Sequence, residues 1–116
     1  MRYLMLIYTS EAESMKASPA EQEAVMGEYW AFTNEIREKG LSLGGEALQP
    51  TNTATTVRLR EGKILTTDGP FAETKEQLGG YYLLNCENLD QAIEYAAKIP
   101  GARYGSIEIR PIWEFE

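Results

Sequence analysis

Asp68, Glu73, Lys75, Glu76, Tyr81 and Tyr82 carry most of the chemistry this chain offers, because histidine is absent and Cys86 is the only cysteine. A carboxylate, an amine and a phenol are the groups a proton-transfer site could still use. Asp68 follows the strand-like run Lys63–Thr67 and stands two residues before Pro70. An aspartate at a strand end commonly accepts a hydrogen bond from the backbone N–H two residues on, but Pro70 has none. Its carboxylate must then turn to the N–H of Phe71 as a helix cap would, to another partner, or to water. Two readings follow: a capped turn with Phe71 as an aromatic plug, or a carboxylate at a pocket mouth beside an aromatic wall.

On the second reading Asp68 is the general base, and Gly69, Pro70 and Phe71 shape the mouth. Lys75 would orient an anionic substrate or lower the carboxylate's pKa. Tyr81 or Tyr82 would supply a phenol at the same end of the sheet. On the bland reading Glu73, Lys75 and Glu76 are a solvated charged turn and the tyrosines pack.

The missing histidine removes Ser-His-Asp and Cys-His devices and histidine-based metal sites. With one cysteine no intrachain disulfide can form, which points to the cytoplasm, and Cys86 reads as a small core or edge residue rather than a nucleophile. There is no acidic calcium loop and no phosphate-binding glycine loop, so neither metal nor cofactor is expected. The net charge is −7, with 18 acidic against 11 basic residues, and no basic run exists to neutralise phosphates. Nucleic acid and anionic membranes are therefore unexpected partners. The apolar run Leu4–Tyr8 is too short for a signal-peptide core or a membrane span.

At 116 residues the chain reads as one domain, residues 1–116. Tyr3–Tyr8 is apolar on both parities, as a central strand would be. Thr9–Ala17 reads as a polar loop. Ser18, Pro19 and Glu21 then make a capping box at the start of a helix, whose inner face is Val25, Tyr29, Phe32 and Ile36 and which stops at Gly40. Trp30, on an adjoining stripe, reads as core, with a ligand platform as the alternative. Leu41–Leu48 is a second strand, with Gly44-Gly45 marking a bulge or a close backbone approach. Ala54–Arg60 and Lys63–Thr67 flank Glu61-Gly62, a two-residue hairpin signal, and Arg58 and Arg60 lie on a wet face. Gly80–Cys86 is again apolar on both faces and should pair centrally with the first strand, with Gly79 and Gly80 letting a helix or ligand come close. Asn88 and Gln91 cap a second helix with Leu89, Ala92, Ile93, Ala96 and Ala97 inside. In the last strand Ile107, Ile109, Trp113 and Phe115 share one parity, and Pro111 argues for an edge or a bulge.

The run Asp68-Gly69-Pro70-Phe71-Ala72-Glu73-Thr74-Lys75-Glu76, continuing Gln77-Leu78-Gly79-Gly80-Tyr81-Tyr82, resembles the signature of DGPF proteins within the YCII-related family. The opening strand and the Ile93–Pro100 region are similar too. This resemblance implies a ferredoxin-like α+β fold, usually paired into a dimeric α+β barrel, with activity largely unassigned. Many relatives carry a histidine after the proline-alanine pair where this chain has Glu21, and an aspartate near its Ile99-Pro100-Gly101. Neither group is here, so that His/Asp site does not carry over, and Glu21 is the capping partner or a substitute acid–base group.

The element order is β-α-β, an inserted hairpin, then β-α-β, which gives a ferredoxin-like split βαβ. Helices cover one face of such a sheet, and a second copy of the chain is the expected cover for the other. Two functions compete. One is a cofactor-free, isomerase- or dehalogenase-like proton transfer by Asp68 in a small-molecule pocket near the DGPF loop. The other is a non-catalytic ligand-binding or regulatory accessory protein, in keeping with DGPF members encoded beside extracytoplasmic-function sigma factors.

Overall fold

Two apolar strands form the middle of a four-stranded antiparallel sheet in the computed structural model, which describes residues 1–115. They are β1 (Arg2–Thr9) and β5 (Gln77–Asn85), flanked by β2 (Ser42–Ala47) beside β5 and β6 (Ser106–Pro111) beside β1. The remaining strands, β3 (Thr55–Arg60) and β4 (Lys63–Asp68), form a separate two-stranded ribbon between β2 and β5 in the chain. The architecture is mixed α+β, and the central pairing of β1 with β5 is the one their two-sided apolar pattern calls for.

Helix α1 (Glu11–Ser14) follows β1, α2 (Pro19–Glu38) leads to β2, and α3 (Leu89–Ala96) precedes β6. Where a polar loop was expected, α1 makes one turn because the Ser10 hydroxyl accepts from the Glu13 N–H at 3.2 Å. Helix α2 begins with the expected capping box: Glu21 N–H donates to Ser18 Oγ at 3.1 Å, and Ser18 N–H donates to Glu21 Oε1 at 3.2 Å. Ser18→Ala is expected to lower stability by about 1 kcal/mol in denaturant unfolding, since it strands one of those N–H groups.

The helices lie on the face of β1 that carries Tyr3, Met5 and Ile7. The core there joins these to Phe32 and Ile36 of α2, Leu84 of β5, and Ala92, Tyr95 and Ala96 of α3. Cys86 is buried in the same core, and burial pushes its thiol pKa up. Tyr82 meets Phe32 edge-on and shares a 3.0 Å hydrogen bond with Thr33.

Two core expectations need correcting. Trp30 is 57% exposed, because the buried stripe of α2 runs through Phe32 and Ile36 instead. On α3, Leu89 and Ile93 are half exposed and Tyr95 is the inward aromatic, its ring capped by the ammonium groups of Lys39 and Lys98. Of the pair Gly79-Gly80, only Gly80 has a close neighbour, and it serves the sheet itself. A side chain on Gly80 would stand 2.8 Å from the Glu46 carbonyl oxygen, so the close approach is made by β2 rather than by a helix or ligand. On the face away from the helices, Leu4, Leu6, Tyr81 and Leu83 form a half-exposed apolar stripe. Cross-strand register places Glu46 on one side of it and Glu108 on the other.

Glu61 and Gly62 both have positive φ, 51° and 76°, as the tight turn joining β3 to β4 requires. The ribbon has an apolar face (Val57, Leu59, Ile64) and a basic one (Arg58, Arg60, Lys63), all exposed. It projects from the body: the radius of gyration is 16.2 Å, against roughly 13 Å for a compact chain of this length.

Candidate functional site

The end of the sheet where β1 stops and β5 starts gathers the candidate groups around α1. Three segments meet at Glu11. Its carboxylate accepts from the Thr51 N–H at 2.9 Å and from the Thr51 hydroxyl at 2.6 Å. Its own N–H donates to Gln77 Oε1 at 2.8 Å, and the Gln77 amide donates to the Thr74 carbonyl. Ser106 donates to Glu76 Oε1 at 2.9 Å. Glu76, expected as part of a charged turn, and Gln77 at the start of β5 thus pin the strap 69–76 to β6 and α1.

At the other end of the strap Gly69 sits at φ 98°, a conformation side chains resist. Its N–H donates to the Ala54 carbonyl at 2.7 Å and its carbonyl accepts from the Thr56 hydroxyl at 2.8 Å, which closes the base of the ribbon. Asp68 is exposed, and among the described residues no donor reaches its carboxylate, so the Phe71 N–H does not cap it. Phe71 is 79% exposed rather than plugging the turn. Lys75 is exposed and makes no ion pair among the described residues. Asp68, Gly69, Pro70, Phe71 and Lys75 therefore share one strap on the outside of the chain. Tyr81 lies apart from them on the open sheet face, opposite Leu6.

A hollow of about 520 Å³ lies on the other side of α1, between it and the first half of α2. Val25, Met26, Tyr29 and Tyr104 give it apolar and aromatic walls, and Ser10 and Glu21 put polar groups at its edge. Helix α1 is the partition: Ser10, Glu13 and Ser14 face the hollow while Glu11 holds the strap. Burial pushes the Tyr29 phenol up to about 12, reinforced by neighbouring Tyr104, with the Gly101 backbone pulling the other way. Near neutral pH this phenol stays protonated and keeps an O–H to donate. One Glu21 oxygen caps Ser18; among the described residues the other has no partner.

A second hollow, about 430 Å³, lies between α2 and the chain after α3. Ion pairs cross it, Lys98 to Glu35 at 2.7 Å and Arg103 to Glu28, and each lysine or arginine holds its carboxylate below the usual range. These groups satisfy one another, so the hollow beside α1 is the better candidate. Sequence reading did not find it because it is built from Tyr29 and Tyr104, far apart in the chain, and from a helical turn taken for loop. Among the described residues no three acidic or cysteine side chains converge as a metal site would need, and no helix is long and apolar enough to cross a membrane.

The profile of the YCII-related domain matches residues 1–116. An uncharacterised protein of Rhizobium meliloti (strain 1021) is 42% identical over 115 residues, covering 97% of this chain and 92% of the relative. Among solved structures the chain is similar to 5-chloro-2-hydroxyhydroquinone dehydrochlorinase (TftG) from Burkholderia phenoliruptrix AC1100, in complex with 2,5-dihydroxybenzoquinone. That likeness has a TM-score of 0.51 at 12% identity and covers all of this chain and 96% of the other, and it shows a common fold.

Proposed function

The chain belongs to the YCII-related family, and from that premise we propose that it binds a small ring-bearing molecule in the hollow beside α1 and moves a proton on it without a cofactor, as an isomerase or dehalogenase does. The observation that carries this is the hollow itself: aromatic and aliphatic walls around a phenol held protonated, with a carboxylate at the rim. The free Glu21 oxygen would take a proton from carbon next to a carbonyl, and Tyr29 would donate to the oxygen as negative charge gathers there. A fold shared with a dehydrochlorinase is compatible with this and names no substrate.

Turnover and binding of small hydroxylated quinones and lactones test it. Glu21→Gln keeps the helix cap, because glutamine can still accept from Ser18. It should cut turnover about 100-fold with affinity retained, and Tyr29→Phe should cut it about 10-fold or more. If both variants match the parent in turnover, the site is elsewhere. If ligands bind tightly and no turnover is found in any form, the protein is the accessory binder.

A second reading rests on the unpartnered Asp68 carboxylate: the strap works at the rim of a hollow that a second copy completes, with Asp68 as base and Lys75 and Tyr81 beside it. Asp68→Asn decides between the two, since only this reading makes it lose activity. The strand order β2-β5-β1-β6 supports a ferredoxin-like split, and the half-exposed apolar stripe Leu4–Leu6–Tyr81–Leu83 supports pairing of two copies into an α+β barrel. The single, buried Cys86 suits a reducing cytoplasm.

A further inference from the structure

The ribbon formed by β3 and β4 is the part of the chain that folding leaves unexplained. An isolated two-stranded hairpin is marginal in water, and this one has no sheet or helix beneath it. Val57, Leu59 and Ile64, on one face, are 63%, 64% and 74% exposed. Six residues of strand carry that face roughly 20 Å from its base. Nothing among the described residues covers it.

Charge indicates what does. Residues 55–68 hold three basic and two acidic side chains, +1 within a chain of −7, which leaves −8 on the rest. A basic arm on an acidic body is repelled least and attracted most by another acidic body, and each copy offers one. The stripe Leu4–Leu6–Tyr81–Leu83 is apolar like the arm's inner face, and Glu46 and Glu108 border it. Phosphate-rich surfaces would meet Arg58, Arg60 and Lys63 but would leave Val57, Leu59 and Ile64 bare.

We propose that the β3–β4 arm clasps a second copy of this chain, laying Val57, Leu59 and Ile64 along that copy's apolar stripe between its Glu46 and Glu108, with the arm's basic face turned outward over the acidic body. This goes beyond the pairing through the open sheet face proposed above and takes from it only the presence of a second copy. By symmetry each copy gives an arm and receives one, a closed two-fold arrangement.

The test uses the full chain. Sedimentation equilibrium should show a dimer at micromolar concentration for the parent. Leu59→Asp and Ile64→Asp should each weaken it about 100-fold or more, because they set a carboxylate in an apolar contact. Their melting as monomers should match that of dilute parent, since neither side chain packs on its own body. A photo-crosslinking residue at position 59, in a mixture of isotope-labelled and unlabelled chains, should join heavy to light chains through peptides containing Leu4–Tyr8 or Tyr81–Leu84. Dimers of unchanged strength in both arm variants would overturn the clasp while leaving the sheet-face pairing standing. Crosslinks within one chain, or from arm to arm, would overturn it as well. A parent that stays monomeric, whether or not it sediments with anionic vesicles, would remove both.

Discussion

Gly105→Ala is expected to lower stability by about 3 kcal/mol or more, seen as a fall of about 10 °C in melting temperature. A β-carbon there would overlap the Tyr8 carbonyl oxygen and stand 2.9 Å from Thr9 Cγ2 and 3.2 Å from the Gly101 carbonyl oxygen. Two of these are backbone atoms, so a rotamer change relieves nothing. The end of β1 or the turn before β6 must move, and that turn carries Tyr104 against the candidate hollow. Ligand binding should therefore weaken along with stability. Gly79→Ala is the control in the same sheet: no atom lies within 4 Å of its added carbon, and melting should shift by no more than about 3 °C. If Gly105→Ala melts like the parent, the tight junction between β1 and β6 is wrong.

Leu84→Ala should cost a further instructive amount, about 3 kcal/mol by chemical denaturation. Leu84 is fully buried, on the helix side of the central strand, and truncation leaves a void among Tyr3, Phe32 and Ile36 that rigid neighbours fill only partly. Leu83, the next residue, points the other way and is half exposed. Leu83→Ala should change the unfolding of the isolated chain by less than about 1.5 kcal/mol. Its larger effect should fall on self-association. Equal losses at both positions in a monomeric sample would mean that the two faces of β5 are not distinct.

These contrasts show what the sequence could reveal. Local rules were enough for α2, because Ser18, Pro19 and Glu21 bond only to each other and to the helix they start. They were also enough for the ribbon, whose Glu61-Gly62 turn selects its own pairing. Strand β5 was recognisable because both its faces are apolar, with Leu84 in the core and Tyr81 and Leu83 on the half-exposed side. The rule failed where the choice was between two apolar neighbours. Trp30 and Ile93 fit a helical stripe as well as Phe32 and Tyr95 do, and only the position of the sheet decides which turn inward. The candidate site was harder still. Asp68 and Phe71 invited a pocket reading from local turn chemistry, yet the hollow lies across α1 and its walls come from residues distant in sequence. Glu76 and Gln77, where the strap meets β5, act through partners at Ser106 and Glu11 that no local pattern announces.

The base of the arm has a consequence for how this protein can vary. Ala54 and Gly69 meet across a single 2.7 Å hydrogen bond, so the excursion between them leaves the body and returns at one point. An insert joined in this way is a detachable module: it could be shortened, extended or exchanged with the strand register of the main sheet untouched. Divergence between descendants of such a chain would then alter the company each protein keeps while its scaffold stays the same.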